Sequence, residues 1–170
     1  MMNNSNQFSG SSKANYFVGD AGKIRVEHGE LLESHSLSLG YVLWLFGFLG
    51  THRFYFGRPI SGVIWLLTFG LFGIGWLVDI CLIPEMKQTA EREFQSGPLD
   101  FNLAWIFFIL LGVFGVHRFY QGKLFTGLAF FFTAGFFGFG LIYDLLTLNN
   151  QLSELNQRWL RKTQKAAVRH

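Results

Sequence analysis

Residues 50 to 58 read Gly-Thr-His-Arg-Phe-Tyr-Phe-Gly-Arg, and residues 115 to 123 read Gly-Val-His-Arg-Phe-Tyr-Gln-Gly-Lys. A shift of 65 residues superimposes the two stretches and also aligns the sequence around them without gaps. An internal repeat has to be recognised first, because it defines the unit of the fold. The identical pairs include Gly47/Gly112, Gly50/Gly115, His52/His117, Arg53/Arg118, Phe54/Phe119, Tyr55/Tyr120, Gly57/Gly122, Gly62/Gly127, Thr68/Thr133, Gly70/Gly135, Phe72/Phe137, Gly73/Gly138, Gly75/Gly140 and Asp79/Asp144.

Each copy holds two apolar runs on either side of this motif. The runs are 37 to 51 and 60 to 83 in the first copy, and 103 to 116 and 124 to 148 in the second. About 20 apolar residues cross a bilayer as a helix, so the second run of each copy is long enough. The first runs reach that length only if the helix continues into His-Arg-Phe-Tyr, with the Arg snorkelling at the lipid interface.

The four runs are apolar on all sides and leave no polar face for water. Backbone groups in lipid must be paired within the segment, so such runs form helices. The sequence therefore predicts an all-α integral membrane fold, with four transmembrane helices arranged as two tandem helical hairpins.

Composition supports this class. Hydrophobic residues make up 50% of the chain and charged residues 15%, against about 25% charged in soluble domains. The net charge of +3 does not indicate nucleic acid, because no basic stripe is present. Attraction to anionic lipids is the simpler interpretation, since the positive excess follows the last apolar run. Those cations are Arg158, Arg161, Lys162, Lys165 and Arg169.

The segment boundaries follow from the same pattern. We predict a polar N-terminal segment (1–36) without a cleaved signal, a first hairpin (37–83), an exposed connector (84–98) with a short helix as an alternative, a second hairpin (99–148) and a basic C-terminal tail (149–170). Asn149-Asn150 is a plausible helix stop. The tail either lies on the membrane surface or is solvated. Cys81 is the single cysteine, so neither an internal disulfide nor a cysteine zinc cluster can form.

With four spans, both termini and the connector share one side of the membrane. That side carries Lys23, Arg25, Lys87, Arg92 and the C-terminal cations, whereas the hairpin loops carry Arg53, Arg58, Arg118 and Lys123. The excess of Lys and Arg predicts cytoplasmic termini in a multi-pass protein.

Asp79 and Asp144 each interrupt an apolar run. In a straight helix they lie near the membrane boundary; if the glycines that precede them bend the helix, they lie deeper and meet Arg53 or Arg118. Those glycines can also serve close helix packing. We predict that Arg53 and Arg118 pair with Asp79 and Asp144, within or across repeats, and so fix the bundle.

His52 and His117 are the two histidines that recur. A metal site would also need the two aspartates, so an interfacial histidine that forms hydrogen bonds is the simpler interpretation, and no metal or other cofactor is predicted. Phe54, Tyr55, Phe119 and Tyr120 are interpreted as aromatic anchors at the interface. A lipid headgroup held between Arg and Tyr is the alternative.

The motif resembles the TM2 domain. Residues 50 to 58 with Gly62, Thr68-Phe69-Gly70 and Trp76-Leu77-Val78-Asp79 carry the resemblance in the first copy, and residues 115 to 123 with Gly127, Thr133-Ala134-Gly135 and Ile142-Tyr143-Asp144 carry it in the second. The resemblance implies a pair of transmembrane helices with a short linker in each copy. Animal members carry Asp-Arg-Phe at the linker, where His52 and His117 replace the Asp.

The sequence contains no convincing nucleophile with a base, carboxylate pair or phosphate loop, so we predict that the protein is not an enzyme. An accessory or scaffold role is favoured, with membrane lipids as partners and other membrane proteins or a second copy as further candidates. The alternative is a small channel or carrier that uses the Arg and Asp pairs. Because each copy holds an even number of spans, the copies run in the same direction, unlike inverted-repeat transporters.

Overall fold

The computed structural model describes residues 7–8, 16–18, 24–26, 33–45, 47 and 49–167. The prediction that no signal is cleaved concerns residues outside these ranges. Lys23 and Arg169 also lie outside them. The N-terminal segment contributes three short antiparallel strands, β1 (Gln7–Phe8), β2 (Tyr16–Val18) and β3 (Ile24–Val26). The all-α prediction did not include these strands.

From Leu37 onward every regular element in the described part of the chain is helical. The helices are α1 (Leu37–Leu45), α2 (Thr51–Tyr55), α3 (Pro59–Phe72), α4 (Ile74–Glu93), α5 (Phe101–Leu111), a short 3-10 helix (Gly112–Phe114), α6 (Val116–Tyr120), α7 (Leu124–Phe137) and α8 (Phe139–Ala167). Elements α1 to α4 form the first repeat, and the elements from α5 to α8 form the second in the same order.

A left-handed turn divides the second apolar run of each repeat. All residues from Phe69 to Gly73 and from Ala134 to Gly138 have positive φ. Each non-glycine residue in this conformation costs about 1–2 kcal/mol, so such a stretch is rare. The glycine-rich step is therefore a break, and the straight-helix alternative is wrong. In the second repeat the helices on either side of it are bent by 117°.

A threonine before each break stabilises the turn. The backbone N–H of Leu71 donates to Oγ1 of Thr68 at 3.1 Å, and that of Phe136 donates to Oγ1 of Thr133 at 3.0 Å. Both hydroxyls also donate to the preceding helical turn. The recurrence of this threonine in the sequence thus has a structural reason.

Among the described helices, none is by itself both long and apolar enough to cross a membrane. The bent pair Leu124–Phe137 and Phe139–Thr163 meets these criteria when its two helices are taken together. The four transmembrane helices stay a prediction.

The predicted connector is wrong at its start, because α4 continues through Pro84 to Glu93. Proline removes a backbone donor from the helix and leaves the carbonyl of Ile80 without its helical partner. The hydroxyl of Tyr41 lies 3.5 Å from that carbonyl oxygen and donates to it. Met86 and Ala90 on this extension are fully buried rather than exposed.

The predicted helix stop at Asn149-Asn150 is also wrong. Helix α8 runs from Phe139 to Ala167 without interruption, so residues 149 to 167 are a continuation of the helix rather than a frayed tail. Their placement on the membrane surface stays a prediction. The buried side chains of α8 recur at helical spacing and pack within the protein: Leu148, Leu152, Ser153 and Asn156.

The buried core lies where α2, the start of α5 and the extensions of α4 and α8 meet. Its members are Leu43, Phe54, Tyr55, Phe56, Ile83, Met86, Ala90, Phe94, Phe101, Ala104, Trp105, Leu148 and Leu152. Many large apolar side chains of α3, α5 and α7 instead face outward, including Ile60, Leu67, Leu110, Phe125 and Phe132. Such an apolar exterior is far larger than soluble monomers expose.

The hairpin loops lie beside the connector and helix α8. The predicted four-span topology instead places the loops on the opposite side of the membrane. A side chain at Gly57 would meet the ring of Phe94, just after α4, at 2.2 Å. Nζ of Lys123 donates a hydrogen bond to Oε1 of Gln151 in α8. Both loops therefore contact the segments that follow the apolar runs.

Candidate functional site

A buried ionic cluster joins the motif of the first repeat to α4. Nε2 of His52 lies 2.7 Å from Oδ2 of Asp79, and Nε of Arg53 donates to the same oxygen at 2.9 Å. Nη2 of Arg53 donates to Oδ1, which completes a two-pronged contact between the guanidinium and the carboxylate. All three side chains are buried.

The second repeat builds the same cluster from equivalent residues. Nε2 of His117 lies 2.7 Å from Oδ2 of Asp144. Arg118 donates to both carboxylate oxygens at 2.7 Å. Nε2 of Gln151 adds a fourth hydrogen bond, to Oδ1 at 3.1 Å. The two Arg–Asp pairs thus form within repeats and not across them.

Backbone geometry explains why the motif begins with glycine. Gly50 and Gly115 precede the short helices α2 and α6 with φ of 79° and 72°, a conformation that side chains disfavour. A Cβ at Gly50 would also lie 2.7 Å from Trp65, and one at Gly115 would lie 2.6 Å from Phe130. Each glycine therefore allows the motif helix to lie against the following helix.

An aromatic ring covers the guanidinium in each cluster. The Cζ atom of Arg53 lies 3.6 Å from the ring centroid of Trp65, and that of Arg118 lies 3.9 Å from the centroid of Phe130. A cation over a ring face is attracted by the ring quadrupole. Both ring positions depend on glycine, since a Cβ at Gly75 or Gly140 would lie 2.8 or 2.5 Å from the ring.

Each cluster pairs its formal charges internally. Aspartate oxygens only accept, so Nε2 of each histidine carries the donated proton. In the neutral imidazole this leaves Nδ1 as an acceptor, and in the described part of the chain it has no partner in His52 or His117. The carboxylate and guanidinium are held by hydrogen bonds and by charge, the arrangement that makes a buried ion pair tolerable.

Two of the four aromatic residues of the motif are not the exposed interfacial anchors that the sequence suggested. Phe54 and Tyr55 are buried in the core, and Phe119 and Tyr120 are half-buried. The rings of Phe54 and Phe119 lie over glycines of the next helix, Gly62 and Gly127. The short motif helix turns Phe54 and Tyr55 into the core, so these two rings do not face lipid. For the half-buried Phe119 and Tyr120 the interface interpretation stays a prediction.

Both tyrosine hydroxyls bind the start of the first helix in their own repeat. Tyr55 accepts a hydrogen bond from the backbone N–H of Ser36 at 2.6 Å, and Tyr120 accepts one from that of Asp100 at 2.7 Å. Tyr55 also donates to Oδ1 of Asn102, across the boundary between repeats. The tyrosines therefore satisfy backbone donors that the helix itself leaves unpaired.

Asn149 is a central residue that the sequence reasoning missed. Its Nδ2 donates to the carbonyl of Tyr55 at 2.7 Å, and its Oδ1 accepts from the indole of Trp105 at 2.6 Å. One side chain of α8 thus connects the motif of the first repeat to α5. The helical spacing of Asn149, Ser153 and Asn156 was the available signal for a buried polar face.

His35 was also missed. Its ring lies among Tyr55, Phe56, Phe94 and Phe101, with centroids 4.8 to 6.1 Å away. Burial lowers the pKa of His35 to about 3, although Asn149 and Tyr55 partly oppose the shift. This histidine is neutral at physiological pH.

The described residues include no group of three or more His, Cys, Asp and Glu side chains that could hold a metal ion. In each cluster the position that a cation would take beside the carboxylate is occupied by a guanidinium. The arrangement fits a fixed charge pair that ties the motif helix to the end of the second apolar run.

Fold and cluster together define a class: a tandem repeat of short helical hairpins, each closed by a buried His–Arg–Asp cluster and covered by an apolar exterior. The sequence model of the TM2 domain matches residues 33–81 and 98–146, which together make up more than half of the chain. This chain belongs to the TM2 domain family, as the motif resemblance indicated, and membership implies a membrane protein.

Relatives in distant organisms carry the same domain. A TM2 domain-containing protein of Dictyostelium discoideum is 48% identical over 66 residues, 38% of this chain and 43% of the relative. A second Dictyostelium relative is 60% identical over 47 residues, 27% of this chain and 34% of the relative. Mouse TM2 domain-containing protein 1 is 31% identical over 93 residues, 54% of this chain and 44% of the relative.

The chain thus spans less than half the length of each of these relatives. No solved structure shows significant similarity to it.

Proposed function

We propose that the protein is a non-enzymatic membrane scaffold that binds lipids, or partner membrane proteins, through its apolar exterior. The observation that supports this role is that the charges of each cluster are paired inside the fold, whereas large apolar side chains face outward. Each cluster carboxylate has its oxygens occupied by its own Arg and His. Large apolar side chains such as Phe125 and Phe132 are 92% and 77% exposed, and a surface of this kind favours contact with lipid or another apolar partner.

The channel or carrier alternative is less well supported. A conducting path needs polar groups that bind an ion or substrate weakly and release it. Here the hydrogen bonds of Arg53 and Arg118 to their aspartates stay within each repeat. The basic side chains near the end of α8, including Arg158, favour placing that end at the cytoplasmic leaflet, where lipid heads are anionic.

The test uses the full chain in cell membranes and then in liposomes. We expect it to stay with the membrane after alkaline washing and to give no ion or solute flux above that of protein-free liposomes. Recovery as a detergent-free monomer in buffer would overturn the membrane role. Flux that is lost in Asp144→Asn would overturn the scaffold role in favour of transport.

A further inference from the structure

The polar ends of the first repeat lie together. The N–H of Ser36, before α1, reaches the hydroxyl of Tyr55 at the end of α2. Oε1 of Glu33 lies 3.0 Å from Nζ of Lys87, which is on the extension of α4. The chain therefore leaves this end through α1 and has returned to it by Tyr55.

The second repeat shows the same return. The N–H of Asp100, before α5, reaches the hydroxyl of Tyr120 at the end of α6. Lys123 in the following loop then contacts Gln151, which lies three residues beyond Leu148, the last apolar residue of the run. The loop and the polar half of α8 are neighbours, so both lie at one end of the repeat.

Apolar turns occupy the opposite end. Phe72 and Ile74 are 90% and 72% exposed beside Gly73, and Phe137 and Phe139 are 89% and 79% exposed at the equivalent turn. The backbone N–H of Gly73 is satisfied locally by the carbonyl of Phe69 at 3.2 Å. An apolar turn with paired backbone groups is suited to the hydrocarbon interior.

The helical legs have nearly equal lengths. The segments 37–45, 59–68, 74–83, 101–111, 124–133 and 139–148 hold 9 to 11 residues each, or roughly 13–17 Å at 1.5 Å per residue. The hydrocarbon core is about 30 Å thick, so each leg matches the depth of one leaflet.

From these positions we propose that every apolar hairpin enters and leaves the bilayer through the same face, so that the protein occupies a single leaflet. This inference rests on the proposed membrane role and specifies its partner as one lipid monolayer. The segment before α1 from residue 33, the connector, the polar half of α8 and both motif loops face the same aqueous side. The left-handed turns lie near the bilayer midplane.

One contact distinguishes the single-leaflet arrangement from a path with four membrane spans. If the second apolar runs crossed the bilayer, Lys123 and Gln151 would lie at opposite faces, about 30 Å apart. The structure instead joins them by a hydrogen bond. Their proximity in a membrane is therefore the quantity to measure.

The decisive experiment is a cross-link in intact membranes. With Cys81→Ser as background, the two cysteines of the double variant Lys123→Cys/Gln151→Cys should be joined by a bis-maleimide reagent about as long as the two native side chains together. A direct disulfide would need Cα atoms within about 7 Å of each other. The cross-link is seen as a shift in gel mobility. The matched control is Lys123→Cys/Asn150→Cys, because Asn150 is adjacent in sequence but exposed. We expect efficient cross-linking of 123 to 151 and much less of 123 to 150.

Labelling from one side provides an independent measurement. Single variants Arg58→Cys, Lys123→Cys and Gln88→Cys are treated in sealed, oriented vesicles with a membrane-impermeant maleimide, and total reactivity is set by labelling in detergent. All three should react from the same side. Labelling of 58 and 123 from the side opposite 88, or no cross-link between 123 and 151, would overturn the single-leaflet arrangement.

If the proposed membrane role itself were wrong, the experiments would give a different result from the one that refutes the single-leaflet arrangement. In that case the protein would be released by alkaline washing, whichever side the cysteines face. A chain that resists washing but labels from both sides would refute only the mode of insertion.

Discussion

At the residue scale, stability depends on a few buried polar side chains, of which Asp79 is the clearest. Asp79→Asn removes the charge that neutralises Arg53 while leaving its guanidinium buried. We expect a loss of about 3–5 kcal/mol in the free energy of unfolding, the usual result of breaking one side of a buried ion pair. Denaturant titration in detergent micelles, followed by tryptophan fluorescence, measures it.

The control for this prediction is Glu154→Gln. Glu154 pairs with Arg158 at 3.3 Å, but both side chains are about two-thirds exposed. Solvent-exposed pairs contribute at most about 1 kcal/mol. Equal effects of the two substitutions would mean that the cluster does not hold the fold together.

His35 makes a second residue-scale prediction, on pH. Its folded-state pKa of about 3 lies below the ordinary 6.5, so the unfolded chain binds a proton that the folded chain excludes. The contribution of neutral His35 to the free energy of unfolding is fully present above pH 6.5. It falls by about 1.4 kcal/mol per pH unit as the pH drops toward 3. Replacement by Phe, which suits the aromatic surroundings, should remove that part of the slope.

Unfolding curves of the wild-type chain and His35→Phe between pH 4 and 7 check this. Taking the difference cancels the titration of other groups. Parallel pH dependences in the two chains would show that His35 is already protonated in the folded protein.

At the scale of elements, the left-handed turns set the path of the chain. Gly138 has φ of 90° and open space where a Cβ would go. Gly138→Ala should therefore cost about 1–2 kcal/mol from backbone handedness alone. Gly138→Asn should cost less, because asparagine tolerates this conformation better.

The same unfolding assay ranks the two variants. The reverse order, with Ala the better tolerated, would indicate a right-handed conformation at this position and hence a continuous helix through the glycine-rich step.

At the scale of the whole molecule, the two repeats should unfold as one unit because α8 packs on the first repeat. Asn149→Leu would leave the carbonyl of Tyr55 and the indole of Trp105 without their buried partner. We expect a loss of about 2–4 kcal/mol from these unsatisfied groups, with a single transition retained. Asn150→Leu, the same change at the neighbouring exposed position, should be nearly neutral.

Two separate transitions in the wild-type chain would contradict this coupling. Fluorescence and circular dichroism followed on the same sample distinguish the cases, since a two-state protein gives coincident curves with both probes.

The repeat, the membrane class and the residues of the clusters could be predicted from the amino-acid sequence alone. These follow from local information: a gap-free shift of 65 residues, runs of apolar side chains, and charges of both signs that recur in each copy. Hydropathy reports which solvent a segment prefers. It therefore identified the apolar segments without any knowledge of their path.

The direction of each segment and the partners of each polar group depend on contacts between distant parts of the chain. A length of apolar residues does not say whether the chain continues or reverses, and the reversal at Phe69 to Gly73 uses a conformation that most of its side chains disfavour. In the same way Asn149 looks like a helix stop in isolation. Its role inside α8 depends on the carbonyls of Phe54 and Tyr55, which lie about 95 residues away in sequence and are near only in the folded chain.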